Sequence, residues 1–397
     1  MTSSLRDRPL EETLAAAKKA AQTLGITRVT DTTWLDYIGI PVYASIRADS
    51  LTVCVNSGKG ARPAEAMVGA YMEAIEFALA EPRNSSLNMK QMSVRELLEQ
   101  KHARFSMEEF RPRSTKRMSA DTLITCVEAE DILTGDKAWI PAELVFVPFR
   151  EGPGRSIFGS STNGLSSGNS IDEATAHGIC EIIERDVQSF LHVGALSSHF
   201  VELGESDGQV FDLASKVARA GLEYGLRFAG NEYNLPYFEG YVIEKGVGFP
   251  LTAAGYGLHP FKSIAAVRAL AEAAQSRLTY IHGGRGDLVR IHEQFPDPKA
   301  LERAMLESNE HAMNRQSCVT YSSIEGMELS ARTSAELVAG ISSILVERGF
   351  SHIFRVVLSP PDFPVSVVKT VIPRMEHYNP GDVRTTVGPR LNPYFDR

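Results

Sequence analysis

One pattern of glycine, glutamate and apolar residues occurs twice in this chain, with the copies about 100 positions apart. Residues 60–76 and residues 168–184 both read Gly-x4-Glu-Ala-x6-Glu-x-Ile-Glu, and every spacing agrees. In each copy the glycine precedes a stretch with helical periodicity, which is typical of a turn that leads into a buried helix. A chain that repeats such a pattern is expected to repeat the local structure. We therefore predict an internally duplicated fold.

The glutamates of each copy fall on one edge of the predicted helix. On an α-helix each residue advances roughly 100°, so the three glutamates of the second copy lie within about 80° of one another. The remaining arc is apolar and must be buried. Clustered acids repel one another and resist burial unless a positive group lies between them. Hard divalent cations prefer oxygen ligands, so the two acidic edges predict metal binding.

A third predicted helix, residues 264–280, carries a related pattern. Its motif is Glu272-x2-Gln275-x-Arg277, in which an amide replaces one acid and arginine follows. Arginine forks bind phosphate oxygens, and acids bind the metal that accompanies a phosphate. Neither Arg185, which follows the second copy, nor Arg277 has an evident ion-pair partner along its own helix. The combination favours a metal–phosphate ligand.

Two of the acids also fit a purely structural role. Glu65 and Glu173 lie at the third position of their predicted helices, and Ser170-x-x-Glu173 is a capping-box pattern. Pro63 fits the first helical position. For Glu65 and Glu173, helix capping remains an alternative to metal binding.

Hairpin signals interspersed with helical segments argue for an α+β fold. Residues 133–136 predict a hairpin turn between two strands, and a second pair of strands is expected within residues 240–257. A helix at 333–348 precedes two further predicted strands, and a short strand is predicted at 145–149. The Glu151-Gly152-Pro153-Gly154 break divides the chain into predicted halves of residues 1–150 and 151–397.

Composition excludes several classes of protein. The chain has 43% hydrophobic and 23% charged residues and a formal net charge of −8. No basic stripe indicates nucleic-acid binding, and no apolar run is long enough to span a membrane. The first ten residues are polar and charged, unlike a signal peptide, and the four cysteines are scattered. We expect a cytoplasmic protein, and a homo-oligomer, that binds neither nucleic acid nor membrane.

The motifs resemble those of the YcaO superfamily. Its central motif is matched by Ser166-Ser167-Gly168-Asn169-x3-Glu173-x7-Glu181-x2-Glu184-Arg185-Asp186. Its first and third motifs are matched by Gly69-x3-Glu73-x2-Glu76 and Glu272-x2-Gln275-x-Arg277. The three motifs occur in the family's order, and the resemblance extends over nearly the whole chain.

The resemblance implies an α+β, YcaO-like fold with internal duplication, in which mixed or antiparallel sheets pack with helices around a central ATP cleft. It implies ATP and Mg²⁺ as cofactors. Carried over by match, the metal ligands would be Glu73, Glu76, Glu173, Glu181, Glu184 and Glu272. The nucleotide-contacting residues would be Arg6, Thr13, Ser166, Asn169, Arg185, Gln275 and Arg277, with Arg185 and Arg277 catalytic through the phosphates.

Members of this superfamily activate an amide of a peptide or protein substrate with ATP. Sulfide then gives a thioamide, an internal Cys or Ser gives an azoline, and an amine gives an amidine. Here Gly69 and Phe77 replace the family's usual Ser and Arg, and neither a Pro-x-Pro-x-Pro tail nor a fused peptide-clamp domain is recognisable. The unmatched tail and clamp domain favour a thioamide-forming member with a TfuA-like partner, whereas Gly69 and Phe77 count slightly toward a non-catalytic protein. The alternatives are an azoline-forming cyclodehydratase, an amidine-forming enzyme and a non-catalytic ATP-binding protein.

Overall fold

The structure, a computed structural model, describes residues 5–101, 104–113, 118–246, 251–284, 297–325, 329–380 and 385–395. In these ranges α-helices are interspersed with mostly antiparallel strands, which confirms the predicted mixed α and β class. No helix in these ranges combines the length and the apolar character that crossing a membrane requires.

The chain forms two compact units. Unit 1 combines Pro9–Ala74 with Leu196–Ser330, and unit 2 combines Ile75–Ala195 with Ala331–Arg397 and Arg6–Arg8. None of these boundaries coincides with the break at 151–154. The predicted halves are residues 1–150, with the first motif, and residues 151–397, with the second and third. This division stays a prediction.

Among its described residues, unit 1 contains two sheets and four whole helices. Its three-stranded antiparallel sheet has the order β1 (Arg28–Asp31), β2 (Val42–Ile46), β3 (Val55–Lys59). Its five-stranded sheet has the order β11 (Leu251–Leu258), β10 (Tyr237–Glu244), β9 (Glu223–Ala229), β8 (Ser198–Glu202), β12 (Cys318–Thr320), with only the β8–β12 pair parallel. The helices are α1 (Leu10–Thr23), α5 (Gln209–Arg219), α6 (Lys262–His282) and α7 (Pro298–Met313).

Glycines let α6, the helix of the third motif, lie directly on β11. A Cβ added at Gly255 would lie 2.2 Å from the backbone nitrogen of Ala273. One added at Gly257 would lie 2.1 Å from the carbonyl oxygen of Ala265. Residues four apart share a helix face, so Ala265, Ala269 and Ala273 form one small-residue face of α6. Any larger residue at these glycines would push the helix off the sheet.

Unit 2 is built on a six-stranded antiparallel sheet. Its order is β4 (Met89–Ser93), β5 (Leu123–Asp131), β13 (Phe354–Val357), β14 (Ser366–Val371), β7 (Leu165–Gly168), with β6 (Lys137–Pro141) paired to β5. The helices are α3 (Val94–Leu98), α4 (Ile171–His192), α8 (Ser334–Glu347) and α9 (Asn392–Phe395). Helix α2 (Pro63–Leu79) begins in unit 1 and ends in unit 2. The predicted hairpins at 133–136 and within 240–257, and the helix at 333–348, are confirmed.

Both copies of the repeated pattern form the same strand–turn–helix geometry. A Cβ added at Gly60 would lie 2.6 Å from the Cβ of Glu65, and one added at Gly168 would lie 2.8 Å from the Cβ of Glu173. The alanine after each glutamate is similarly close to its glycine. The glycine of the pattern is therefore needed because the helix N-terminus passes over it.

The strand predicted at 145–149 is wrong. These residues follow a short 3-10 turn, Ala142–Leu144, and form no strand. Pro148 has no N–H to donate to a sheet, and the N–H of Val147 donates instead to the carbonyl oxygen of Ala80 at 2.9 Å. Apolar character alone does not distinguish a buried turn from a strand.

Candidate functional site

The helix α4, which carries the second set of motif glutamates, lies in unit 2. Glu181 accepts a hydrogen bond through Oε1 from the N–H of Gly164 at 3.3 Å. One turn further, the guanidinium of Arg185 lies 3.9 Å from the Glu184 carboxylate and donates to Oε1 of Gln188 at 3.0 Å. The Glu184 side chain is 12% exposed and that of Arg185 is 31% exposed, so both remain accessible to a ligand.

Two neighbouring serines of β7 have different roles. The hydroxyl of Ser167 donates to Oε1 of Glu76 at 2.5 Å, which fixes a predicted metal ligand. The hydroxyl of Ser166, predicted to contact nucleotide, donates instead to the carbonyl oxygen of Ala174 at 2.8 Å and joins β7 to α4. Its contact with nucleotide stays a prediction. Sequence reasoning did not single out Ser167, although it lies inside the central motif.

Glu173 lies at the capped start of α4, and metal binding by its carboxylate stays a prediction. Its backbone N–H donates to the hydroxyl of Ser170 at 3.0 Å, so Ser170 caps α4 as expected. Its carboxylate accepts from the amide of Asn169 at 2.9 and 3.1 Å and lies 3.8 Å from the Arg6 guanidinium. The side chain is only 9% exposed, so these partners offset the cost of burying its charge. Three predicted site residues, Arg6, Asn169 and Glu173, therefore lie together.

Asp7 is a further residue of this cluster that the sequence reasoning missed. Its N–H donates to Oε2 of Glu173 at 2.9 Å. Its carboxylate accepts from the hydroxyls of Ser334, at 2.7 Å, and of Ser170. Both serines lie at the start of a helix, where a carboxylate is stabilised by the helix dipole. The segment around Arg6 is thereby attached to unit 2.

In unit 1, the first and third motifs meet at one residue of β3. The N–H of Ser57 donates to Oε2 of Glu73 at 3.2 Å, and its carbonyl oxygen accepts from the amide of Gln275 at 2.7 Å. A Cβ added at Gly69, one turn before Glu73, would lie 3.3 Å from the Cα of Gly58. A side chain at position 69 would therefore press against β3.

Glu272 pairs with a lysine that the sequence reasoning did not assign. Nζ of Lys59 lies 2.6 Å from Oε2 of Glu272, and the two side chains are 28% and 24% exposed. Lys59 ends β3, two residues after Ser57. Unit 1 therefore presents an accessible cation in contact with a predicted metal ligand.

Two predicted nucleotide-binding residues make structural contacts. Arg277 has ion-pair partners outside its own helix: it donates to Asp36 at 2.8 Å and to Glu244 at 2.7 Å, and its side chain is 11% exposed. These partners lie on other elements, so the pattern of α6 could not reveal them. Thr13 is buried, and its hydroxyl donates to the carbonyl oxygen of Pro9 at 3.0 Å. Nucleotide binding by Arg277 and Thr13 stays a prediction.

Within the part of the chain that the structure describes, no group of three or more His, Cys, Asp or Glu side chains is arranged to hold a metal ion. Each predicted ligand whose contacts are given above has a hydrogen-bond donor or a cation against its carboxylate. In each unit, these contacts come from protein groups of the same unit.

Comparison with known proteins identifies the family. The family model described as YcaO cyclodehydratase, ATP- and Mg²⁺-binding, matches residues 57–376. An uncharacterized protein of Methanothermobacter thermautotrophicus is 32% identical over 93% of this chain and 94% of its own length. An uncharacterized protein in the tfuA 3′ region of Rhizobium leguminosarum bv. trifolii is 29% identical over 92% of this chain and 87% of its own.

Solved structures confirm the predicted fold. YcaO from Methanopyrus kandleri, bound with AMPPCP and Mg²⁺, gives a TM-score of 0.76 over 98% of this chain and 97% of that one, at 22% identity. A heterocyclase in complex with substrate and cofactor gives a TM-score of 0.72 at 17% identity over 94% of this chain, which covers 53% of the heterocyclase. At these identities the likeness establishes the fold alone.

Proposed function

The chain belongs to the YcaO family of ATP- and Mg²⁺-binding proteins, and we propose that it uses ATP to activate an amide of a peptide or protein. We propose that sulfide then replaces the amide oxygen, which gives a thioamide, and that a TfuA-like protein is the partner. The observation that carries the proposal is the pair of glutamate-bearing helices, α2 and α4, built on the same repeated pattern. The relative in the tfuA 3′ region supports the choice of thioamide and of partner.

The donor set fits Mg²⁺, because its members are carboxylates and this hard ion prefers oxygen ligands. The proposed ligands are Glu73 and Glu272 in unit 1 and Glu76, Glu173, Glu181 and Glu184 in unit 2. When bound, Mg²⁺ supplies positive charge that neutralises the phosphates of ATP.

The remaining residues position groups and donate hydrogen bonds. Arg185 and Lys59 are partly exposed cations beside Glu184 and Glu272, and we propose that both donate to phosphate oxygens. Ser167 and the N–H groups of Ser57 and Gly164 hold individual carboxylates in place. Such fixed donors avoid reorganisation during the reaction.

The proposed reaction requires ATP, sulfide and one amide. Sulfide adds to the amide carbon, and the carbonyl electron pair moves onto oxygen. That oxygen forms a bond to the γ-phosphorus as the bond to the bridging oxygen breaks and ADP leaves. The carbon–oxygen bond then breaks, phosphate leaves, and the sulfur loses its proton to form the thioamide. One oxygen of the peptide is thereby exchanged for one sulfur.

We expect the purified protein, with its TfuA-like partner, Mg²⁺, ATP and sodium sulfide, to modify one peptide in an extract from a strain lacking this gene. Mass spectrometry should find a product in which sulfur replaces one oxygen, and ADP and phosphate should form in equal amounts. Omitting sulfide should prevent the modification.

Other products would contradict the thioamide assignment. Loss of one water without added sulfide would identify an azoline-forming cyclodehydratase, the class suggested by the heterocyclase neighbours. Gain of an amine with loss of water would identify an amidine-forming enzyme. No ATP-dependent change in any peptide, despite ATP binding, would identify a non-catalytic protein.

A further inference from the structure

Lys369 is a buried lysine that the reaction proposed above does not use. It lies on β14 opposite Leu165 of β7 and is 2% exposed. Lysine is rarely buried this fully, because its charge is costly to remove from water. Its Nζ donates to two backbone carbonyl oxygens, those of Ser161 at 2.5 Å and Asn163 at 2.6 Å. Lys369 therefore tethers the loop that precedes β7.

The tethered loop leads directly to the group that contacts Glu181. Gly164 follows Asn163 with a φ of +77°, and its N–H donates to Oε1 of Glu181 at 3.3 Å. Its carbonyl oxygen accepts from the N–H of Thr370 at 2.8 Å. A Cβ added at Gly164 would lie 2.4 Å from the carbonyl oxygen of Thr370. The loop is therefore fixed between β14 and the Glu181 carboxylate.

The charges of Lys369 and Glu181 also influence each other. The pKa of Lys369 is lowered to about 7, chiefly by burial; the nearby Glu181 carboxylate opposes this shift and Arg111 adds to it. The lysine thus lies within electrostatic range of a proposed metal ligand as well as holding the loop beside it.

We propose that Lys369 is a positioning residue for Glu181. By tethering Ser161 and Asn163, it holds the Gly164 N–H against one carboxylate oxygen and so fixes the direction in which Glu181 faces a metal ion. This inference rests on the proposed function, because it takes Glu181 to be a metal ligand. Groups that orient a ligand typically change metal affinity by about 10- to 100-fold when removed.

The test is calorimetric titration of the ATP analogue AMPPCP at several Mg²⁺ concentrations. We expect Lys369→Met to weaken the Mg²⁺-dependent binding by at least about 10-fold. In a Glu181→Gln background the same substitution should add less than about 2-fold, because both changes disturb one ligand. Lys262→Met is a matched control, since Nζ of Lys262 also donates to two carbonyl oxygens, those of Tyr321 and Ile324. It should leave the Mg²⁺ dependence unchanged.

Additive effects of Lys369→Met and Glu181→Gln, or an unchanged Mg²⁺ dependence in Lys369→Met, would overturn the positioning role. An unchanged Mg²⁺ dependence in Glu181→Gln alone would instead refute Glu181 as a ligand, so the two failures are distinguishable. If Lys369→Met does not fold, Lys369→Gln provides the test, because its amide still donates to a carbonyl. It should bind with an intermediate Mg²⁺ dependence, and a wild-type value would contradict the proposal.

Discussion

Glu181→Gln and Glu184→Gln are each expected to weaken Mg²⁺-dependent binding of AMPPCP by at least about 100-fold. Removing a metal ligand should reduce the affinity more than removing a residue that only orients a ligand. Glutamine keeps the size of the side chain but removes its charge, so the helix should remain intact. Calorimetric titration in Mg²⁺ and in EDTA measures the effect. Binding should be lost in EDTA for the wild-type protein as well.

Two comparisons sharpen this prediction. Glu347→Gln, at the exposed end of α8, should bind as the wild type does. Glu173→Gln should have a smaller effect than Glu181→Gln, because its backbone N–H still donates to Ser170 and an amide oxygen can still accept from Asp7. Wild-type affinity in both Glu181→Gln and Glu184→Gln would refute the proposed metal ligands.

Arg390→Leu is expected to lower the free energy of unfolding by about 3–5 kcal/mol, the usual cost of breaking a buried ion pair. Arg390 donates to Asp186 at 2.5 Å, and the Asp186 carboxylate is only 1% exposed. The fully buried Glu376, whose pKa is raised by burial, accepts the backbone N–H groups of Gly388 and Arg390. Removing the guanidinium would leave the carboxylates of Asp186 and Glu376 buried with less positive charge near them.

Urea unfolding measures this change. The control is Arg95→Leu, because Arg95 and Asp121 form an ion pair 3.4 Å apart with side chains 58% and 86% exposed. An exposed pair contributes less than about 1 kcal/mol, so that variant should unfold almost as the wild type does. A similarly small effect of Arg390→Leu would show that the C-terminal residues contribute little to the stability of unit 2.

Local structure in this chain could be predicted from local sequence. Gly60 and Gly168 identify the two turns because only glycine leaves room for the helix that follows. Pro63 begins α2 and Ser170 caps α4, as the capping patterns predict. In each case the interacting residues are within about five positions of one another, so their spacing carries the information.

Partners that are distant in sequence could not be predicted. Lys59 contacts Glu272, Asp7 contacts Ser334, and Arg277 contacts Asp36, and each pair is separated by more than 200 positions. A helical pattern indicates which face a side chain occupies, but it does not indicate what lies opposite that face. For this reason the sequence pattern did not reveal Lys59 and Asp7, which contact Glu272 and Glu173.

The boundaries of the two units could not be predicted from local sequence either. The chain passes from one unit to the other inside α2, between Ala74 and Ile75, where the helical pattern is uninterrupted. It passes again after Ala195 and after Ser330. A boundary inside a regular helix leaves no break in composition, so the pattern of the sequence cannot reveal it.

The fate of the amide oxygen tests the proposed reaction most directly. The peptide identified as substrate would be synthesised with a heavy oxygen isotope at the modified carbonyl and incubated with the protein, its partner, Mg²⁺, ATP and sulfide. If the amide oxygen is phosphorylated, the heavy isotope must appear in the released inorganic phosphate, one atom for each thioamide formed. Phosphate without the heavy isotope, or release of AMP in place of ADP, would contradict the proposed activation.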